Sequence, residues 1–155
     1  MQLSTSPKSI GGPQAVPLQL PGGVERILLV DDEESLAMTT GEWLESFGYQ
    51  VIIASSGHEA VALFKAFQKK TEGTIDLIVM DWFLPGMSGT ETIQYIASIA
   101  PETKFLLTTG LYIDSEQEIY KELQAVGLVG FLRKPYNAFR LAYTVRGALD
   151  HIGEN

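Results

Sequence analysis

Within IDLIVM, residues 75–80, every position after Asp76 is apolar, and Asp81 follows directly. A strand that is apolar on both faces belongs inside a sheet covered on both sides, which in practice is a parallel sheet flanked by helices. A second run, RILLV at 26–30, is also strand-like and also ends in acid, at Asp31 and Asp32. Ligands of open parallel sheets bind beyond the carboxyl ends of the strands. As neighbours, the two runs deliver three carboxylates into one crevice. Like charges that close repel, so the crevice needs a cation or a shifted pKa. Mg²⁺ takes oxygen ligands and keeps positions open for phosphate. The first functional expectation is therefore an acidic Mg²⁺ pocket that handles a phosphoryl group.

The rest of the chain supports that frame. Leu36, Thr40, Trp43, Leu44 and Phe47 fall on roughly one helical face, and Gly48 stands where a helix would stop. YQVIIA reads as a second strand, and Ala60, Leu63, Phe64 and Phe67 recur at helical spacing. Ile93, Ile96 and Ala97 line a third helix, and KFLLT is a fourth strand. A polar helix is expected over about 114–125, then a strand at LVGFL and a last helix carrying Ala138, Leu141, Ala142, Val145 and Leu149. Five β–α units with short loops predict an α/β fold, a doubly wound five-stranded parallel sheet with helices on both faces. Residues 1–24, rich in Ser, Pro, Gly and Gln, read as a flexible arm or linker, and residues 25–152 as the domain.

Composition removes several classes of function. A net charge of −8 argues against a nucleic-acid surface. The chain has no cysteine, hence no disulfide or thiolate metal site, which fits a cytoplasmic protein. No apolar stretch approaches the ~20 residues needed to span a bilayer, so no direct membrane contact is expected. The sequence ends a few residues after the last helix, so output is expected to lie in another protein or in a parent polypeptide.

Four segments carry a specific resemblance: VDDEE after the first strand, DWFLPGMSG after the third, LLTTG at the fourth and FLRKPY at the fifth. In this order and spacing they resemble the receiver domain of two-component response regulators, over about residues 25–150. The resemblance implies a flavodoxin-like sheet of order 2-1-3-4-5. It implies that Asp81 accepts a phosphoryl group from a histidine on a partner. Mg²⁺ would be held by Asp31, Asp32, Asp81 and the backbone carbonyl of Phe83. Lys134 would meet a phosphoryl oxygen. Thr109 and Phe131 would form the switch, the hydroxyl moving toward the phosphoryl group and the ring turning inward. The implied partners are a histidine kinase or phosphotransfer domain, and a downstream protein at the face of the fourth helix, fifth strand and fifth helix. GYQVIIASSGHEA and FLRKPYNAFRLAYTVRGALD look most like receivers fused to the C-terminus of hybrid sensor histidine kinases. A membrane tether would then come through the parent kinase.

Leu84 stands where the family often has Met before the loop proline. Phe83 and Leu111, each two residues beyond a key residue, are expected to shield an acyl phosphate from water and slow its loss. Trp82 is expected to be partly exposed and to report on the site, Trp43 to be core, and His58 and His151 to lie on the surface. Two other readings compete with the hybrid-kinase receiver: a stand-alone single-domain regulator, and a phosphatase of the haloacid-dehalogenase type. The phosphatase would use an Asp nucleophile on the first strand with a second Asp two positions later. Position 33 is Glu, and Asp81 would have no role in it. A third reading, a phosphate-blind interaction module, conflicts with the complete residue set.

Overall fold

The computed structural model describes residues 19–69, 73–111 and 117–152. Five strands, β1 (Arg26–Val30), β2 (Gln50–Ala54), β3 (Leu77–Asp81), β4 (Phe105–Thr109) and β5 (Leu128–Arg133), alternate with five helices, α1 (Glu34–Ser46), α2 (Gly57–Gln68), α3 (Gly89–Ile99), α4 (Glu118–Ala125) and α5 (Ala138–Leu149). The strands form one parallel sheet in the order β2-β1-β3-β4-β5, as expected. Part of the helix expected over 114–125 lies outside the described residues, as does most of the expected arm.

Strand alternation sorts the core into two layers. Leu28, Val30, Ile78, Met80, Phe105 and Leu107 face α2, α3 and α4, where Ala60, Phe64, Ile93, Ile96 and Leu123 meet them. Ile27, Leu29, Leu77, Val79, Leu106 and Leu132 face α1 and α5, against Leu44, Leu141 and Val145. All five residues of β3 are buried, the structural counterpart of its two apolar faces. Register then levels the strand ends. Val30 pairs with Met80, so Asp31 and Asp81 are the next residues of neighbouring strands. Asp81 pairs with Thr108, and Thr109 with Arg133, which brings Lys134 to the same rim.

The buried face of α1 is Ala37, Thr40, Gly41 and Leu44, rotated from the face expected by counting large side chains. Leu36, Trp43 and Phe47 are partly buried; Trp43 and Phe47 pack beside the α5-side core. A Cβ at Gly41 would stand 3.1 Å from Ile53 Cδ1 on β2, so a small residue suits this approach of helix to sheet. The helix ends as its sequence suggests. Gly48 takes φ +108°, its N–H donates to the Glu45 carbonyl, and the Tyr49 N–H donates to that of Leu44. This is a Schellman stop, which a side chain at Gly48 would strain.

At the opposite pole from the acids, the segment before β1 is tied down. The Gly23 N–H donates to the Phe47 carbonyl at 3.2 Å. Arg146 on α5 donates to the Gly22 carbonyl at 3.0 Å and forms ion pairs at 2.8 Å with Glu25 and Asp150. The hydrogen bond from Arg146 holds the Glu25 carboxyl below the usual range, against the opposing effect of burial. A depressed carboxylate pKa contributes stability that is present above the unfolded value, about 4.3, and lost as pH falls through the folded one. Partly exposed pairs contribute at most about 1 kcal/mol. Glu25→Gln is therefore expected to lower stability slightly at pH 7 and not at pH 2, measured by urea unfolding at both.

Candidate functional site

Lys134 reaches into the crevice between β1 and β3. Its Nζ lies 3.1 Å from Asp31 Oδ2 and 3.1 Å from Asp81 Oδ2. Asp31 and Asp81 are 3% and 7% exposed, so this ammonium neutralises two carboxylates that water hardly reaches. Asp32 is exposed at the rim, and one oxygen from each of the three acids lies within 4.8 Å of the others. That is a donor set of hard oxygens of the kind that suits a divalent cation, with one wall open to solvent.

Backbone donors fix the remaining oxygens. Asp31 Oδ1 accepts from the Glu33 N–H at 2.9 Å, and Asp81 Oδ1 from the Phe83 N–H at 3.2 Å. The second bond draws the Phe83 backbone beside Asp81. Burial pushes the Asp81 carboxyl above the usual range; Lys134 opposes the rise without cancelling it, and the Asp31 charge adds to it. Burial works against charge on Lys134, but its bonds to Asp31 and Asp81 outweigh it and hold the ammonium above its ordinary pKa. The site thus carries a cation that stays charged and a buried acid that is costly to ionise without more positive charge nearby.

The loop bearing Lys134 is positioned from two sides. Its N–H donates to the Thr109 carbonyl at 2.8 Å, and the Lys134–Pro135 peptide is cis. Tyr136, two residues on, shares a 2.8 Å hydrogen bond between its hydroxyl and that of Thr40 on α1. The sequence reading missed this contact. The available signal was a threonine on the core-facing stripe of α1, which needs a buried partner for its hydroxyl.

On the other side of the sheet, Thr109 is buried and its Oγ1 accepts from the Leu111 N–H at 3.0 Å. Phe131 is partly buried and packs against the α4-side core. Its ring lies 6.1 Å from Trp82 in a stacked arrangement and 5.0 Å from Tyr120 on α4. A line of aromatic rings therefore runs from the residue after Asp81 to the fourth helix. Trp82 is partly exposed, as expected for a reporter. Phe83 and Leu111 stand more than half exposed, and His58 and His151 lie on the surface.

The family model for the response regulator receiver domain matches residues 27–146. The chain belongs to this family. Among curated relatives, the receiver is 32% identical over 128 residues to the sensor kinase CckA of Brucella abortus, covering 83% of this chain and 13% of CckA. It spans 13–33% of the length of the first three such relatives. Among solved structures, a response regulator receiver domain protein of Clostridium thermocellum is similar with a TM-score of 0.69 and 28% identity, covering 82% of this chain and 95% of that one. The receiver also resembles the response regulator TrrA of Thermotoga maritima in complex with Mg²⁺-BeF, with a TM-score of 0.65 and 28% identity over 79% of this chain and 97% of that one. The fold and the two-component signalling class expected from the sequence are those of the family.

Proposed function

We propose that this receiver accepts a phosphoryl group on Asp81 from a phosphohistidine of a kinase or phosphotransfer partner. An Asp81 oxygen forms a bond to phosphorus as the phosphorus–nitrogen bond breaks, and the electron pair of that bond returns to the donor imidazole. The product is an acyl phosphate. The Lys134 ammonium between Asp31 and Asp81 carries this reading, because it is a fixed cation at the point where phosphoryl charge would arrive. Asp31, Asp32, Asp81 and the Phe83 carbonyl would hold Mg²⁺, which when bound neutralises phosphoryl and carboxylate charge together. Thr109 supplies a hydroxyl that can leave the Leu111 N–H for a phosphoryl oxygen. Phe131, between Trp82 and Tyr120, carries the change to α4 and to a downstream protein at the α4–β5–α5 face. Phe83 and Leu111 flank the mouth and limit access of water to the acyl phosphate.

The similarity to CckA and the resemblance carried by GYQVIIASSGHEA and FLRKPYNAFRLAYTVRGALD favour a hybrid sensor kinase as parent, with the N-terminal arm as its linker and the domain in the cytoplasm. A stand-alone regulator is the alternative. The reading is tested by adding beryllofluoride, a phosphoryl mimic. Emission from Trp82 is expected to change on addition of beryllofluoride with Mg²⁺, saturating at one per chain. The change should be lost in EDTA and in Trp82→Phe. No binding by calorimetry in the presence of Mg²⁺ would sink the proposal.

A further inference from the structure

We infer that Thr108, the residue before Thr109, is a further working part of the phosphotransfer site: its hydroxyl donates to the Asp81 oxygen that Lys134 gives up when a phosphoryl group arrives. The inference rests on the proposed phosphotransfer and adds a residue to it. Thr108 and Thr109 adjoin on β4 but face opposite ways. Alternation puts Thr108 with Leu106, in the layer of α1 and α5. Asp81 follows Val79, and Asp31 follows Leu29, onto that same side. Thr109 shares the side of Phe105 and Leu107, toward α2, α3 and α4.

Register and sheet order bring this hydroxyl to the reacting group. Thr108 is the direct partner of Asp81 across β3 and β4. Neighbouring strands lie about 4.8 Å apart, so the two side chains stand side by side. Lys134 leaves the end of β5 yet reaches Asp81 on β3 and Asp31 after β1. β4 lies between β3 and β5, so the lysine stem crosses the end of β4 over Thr108.

Thr108 is 2% exposed, and among the described residues its hydroxyl has no hydrogen-bond partner. A buried hydroxyl without a partner lowers stability, whereas valine has nearly the same shape, no polar atom and an equal liking for strands. Nearby hydroxyls show the contrast. Thr40 and Tyr136 satisfy each other at 2.8 Å, and Thr109 accepts from the Leu111 N–H at 3.0 Å. In the unphosphorylated site both Asp81 oxygens already accept, Oδ2 from Lys134 and Oδ1 from the Phe83 N–H. An acyl phosphate changes this. One carboxylate oxygen carries the phosphorus, the other becomes a carbonyl, and the ammonium turns to the phosphoryl oxygens. The carbonyl oxygen then lacks a donor, and the Thr108 hydroxyl stands beside it. The proton stays on the hydroxyl throughout, and only its acceptor is new.

The test uses the full chain, thermal melts in EDTA, and calorimetry of beryllofluoride binding in Mg²⁺. Thr108→Val is expected to raise the midpoint in EDTA by about 2 °C, because it removes the unpartnered hydroxyl. The same variant is expected to bind beryllofluoride about fivefold more weakly, the scale of one hydrogen bond. Stability and affinity then move in opposite directions, a combination that a packing role does not give. Thr108→Ser keeps the hydroxyl and loses the methyl, so it is expected to melt lower and bind like the wild type. Wild-type affinity in Thr108→Val overturns the inference. So does a lowered midpoint for that variant, which would show the hydroxyl already satisfied. Binding by Thr108→Ser as weak as that of Thr108→Val also overturns it, since shape would then be the cause. A wild type that binds no beryllofluoride in Mg²⁺ overturns the phosphoacceptor reading itself.

Discussion

Asp81→Asn is expected to abolish labelling by acetyl phosphate and, in EDTA, to raise the thermal midpoint. Both effects follow from one geometry. Asp81 is 7% exposed, and its carboxyl is pushed above the usual range by burial first, despite Lys134. A raised carboxylate pKa favours the folded state below the ordinary Asp value of about 3.9, and that contribution is lost as pH rises through the folded value. At pH 7 an ionised Asp81 is therefore a cost to the folded chain. The amide removes the charge and keeps an oxygen for Lys134. Each kcal/mol recovered corresponds to about 2–4 °C for a domain of this size. Mg²⁺ should raise the wild-type midpoint and narrow the difference. Asp31→Asn separates the alternatives, because a phosphatase with its nucleophile on β1 would lose labelling there and keep it in Asp81→Asn. A lower midpoint for Asp81→Asn would show that its ion pair outweighs its burial.

Lys134→Ala should have the opposite effect on stability. Removing the ammonium leaves Asp31 and Asp81 buried, adjacent and unpaired. Breaking one partner of a buried pair costs about 3–5 kcal/mol; Lys134 is one-fifth exposed, so the lower end is expected. The Lys134 pKa is raised in the folded state, so its contribution is complete below the unfolded lysine value and lost only above the folded one. The gap between wild type and variant, read from urea unfolding in EDTA, should thus be constant from pH 6 to 9. Added Mg²⁺ should close much of it. Labelling by acetyl phosphate should slow about a hundredfold or more, the scale of losing one charged stabiliser of a transferring group. Equal stability of variant and wild type in EDTA would mean that solvent already screens the two acids.

The carboxylate cluster was legible because strand periodicity and the strand-end rule act locally. RILLV and the run before Asp81 each show their face pattern within a few residues, and parallel pairing does the rest. Lys134 was legible only by resemblance, since 103 residues separate it from Asp31. Chain-distant contacts that no motif marks were not legible. Arg146 reaches Glu25 across 121 positions, and Tyr136 reaches Thr40 across 96. The face of α1 was misjudged for another reason. Ala37 and Gly41 are on the buried face, yet small residues weigh least in a count of apolar positions, so Leu36 and Trp43 drew the eye toward the flank.

The two-layer packing has a consequence for traffic around the molecule. Strand alternation sets Asp81 on the same face as Leu77 and Val79, which pack toward α1 and α5, whereas Phe131 belongs to the layer of α2, α3 and α4. β2 and β5 lie at opposite margins of the sheet. The sheet therefore separates that carboxylate from the Phe131 ring, and the path between them runs around the strand ends, where Trp82 follows Asp81 and stacks on Phe131.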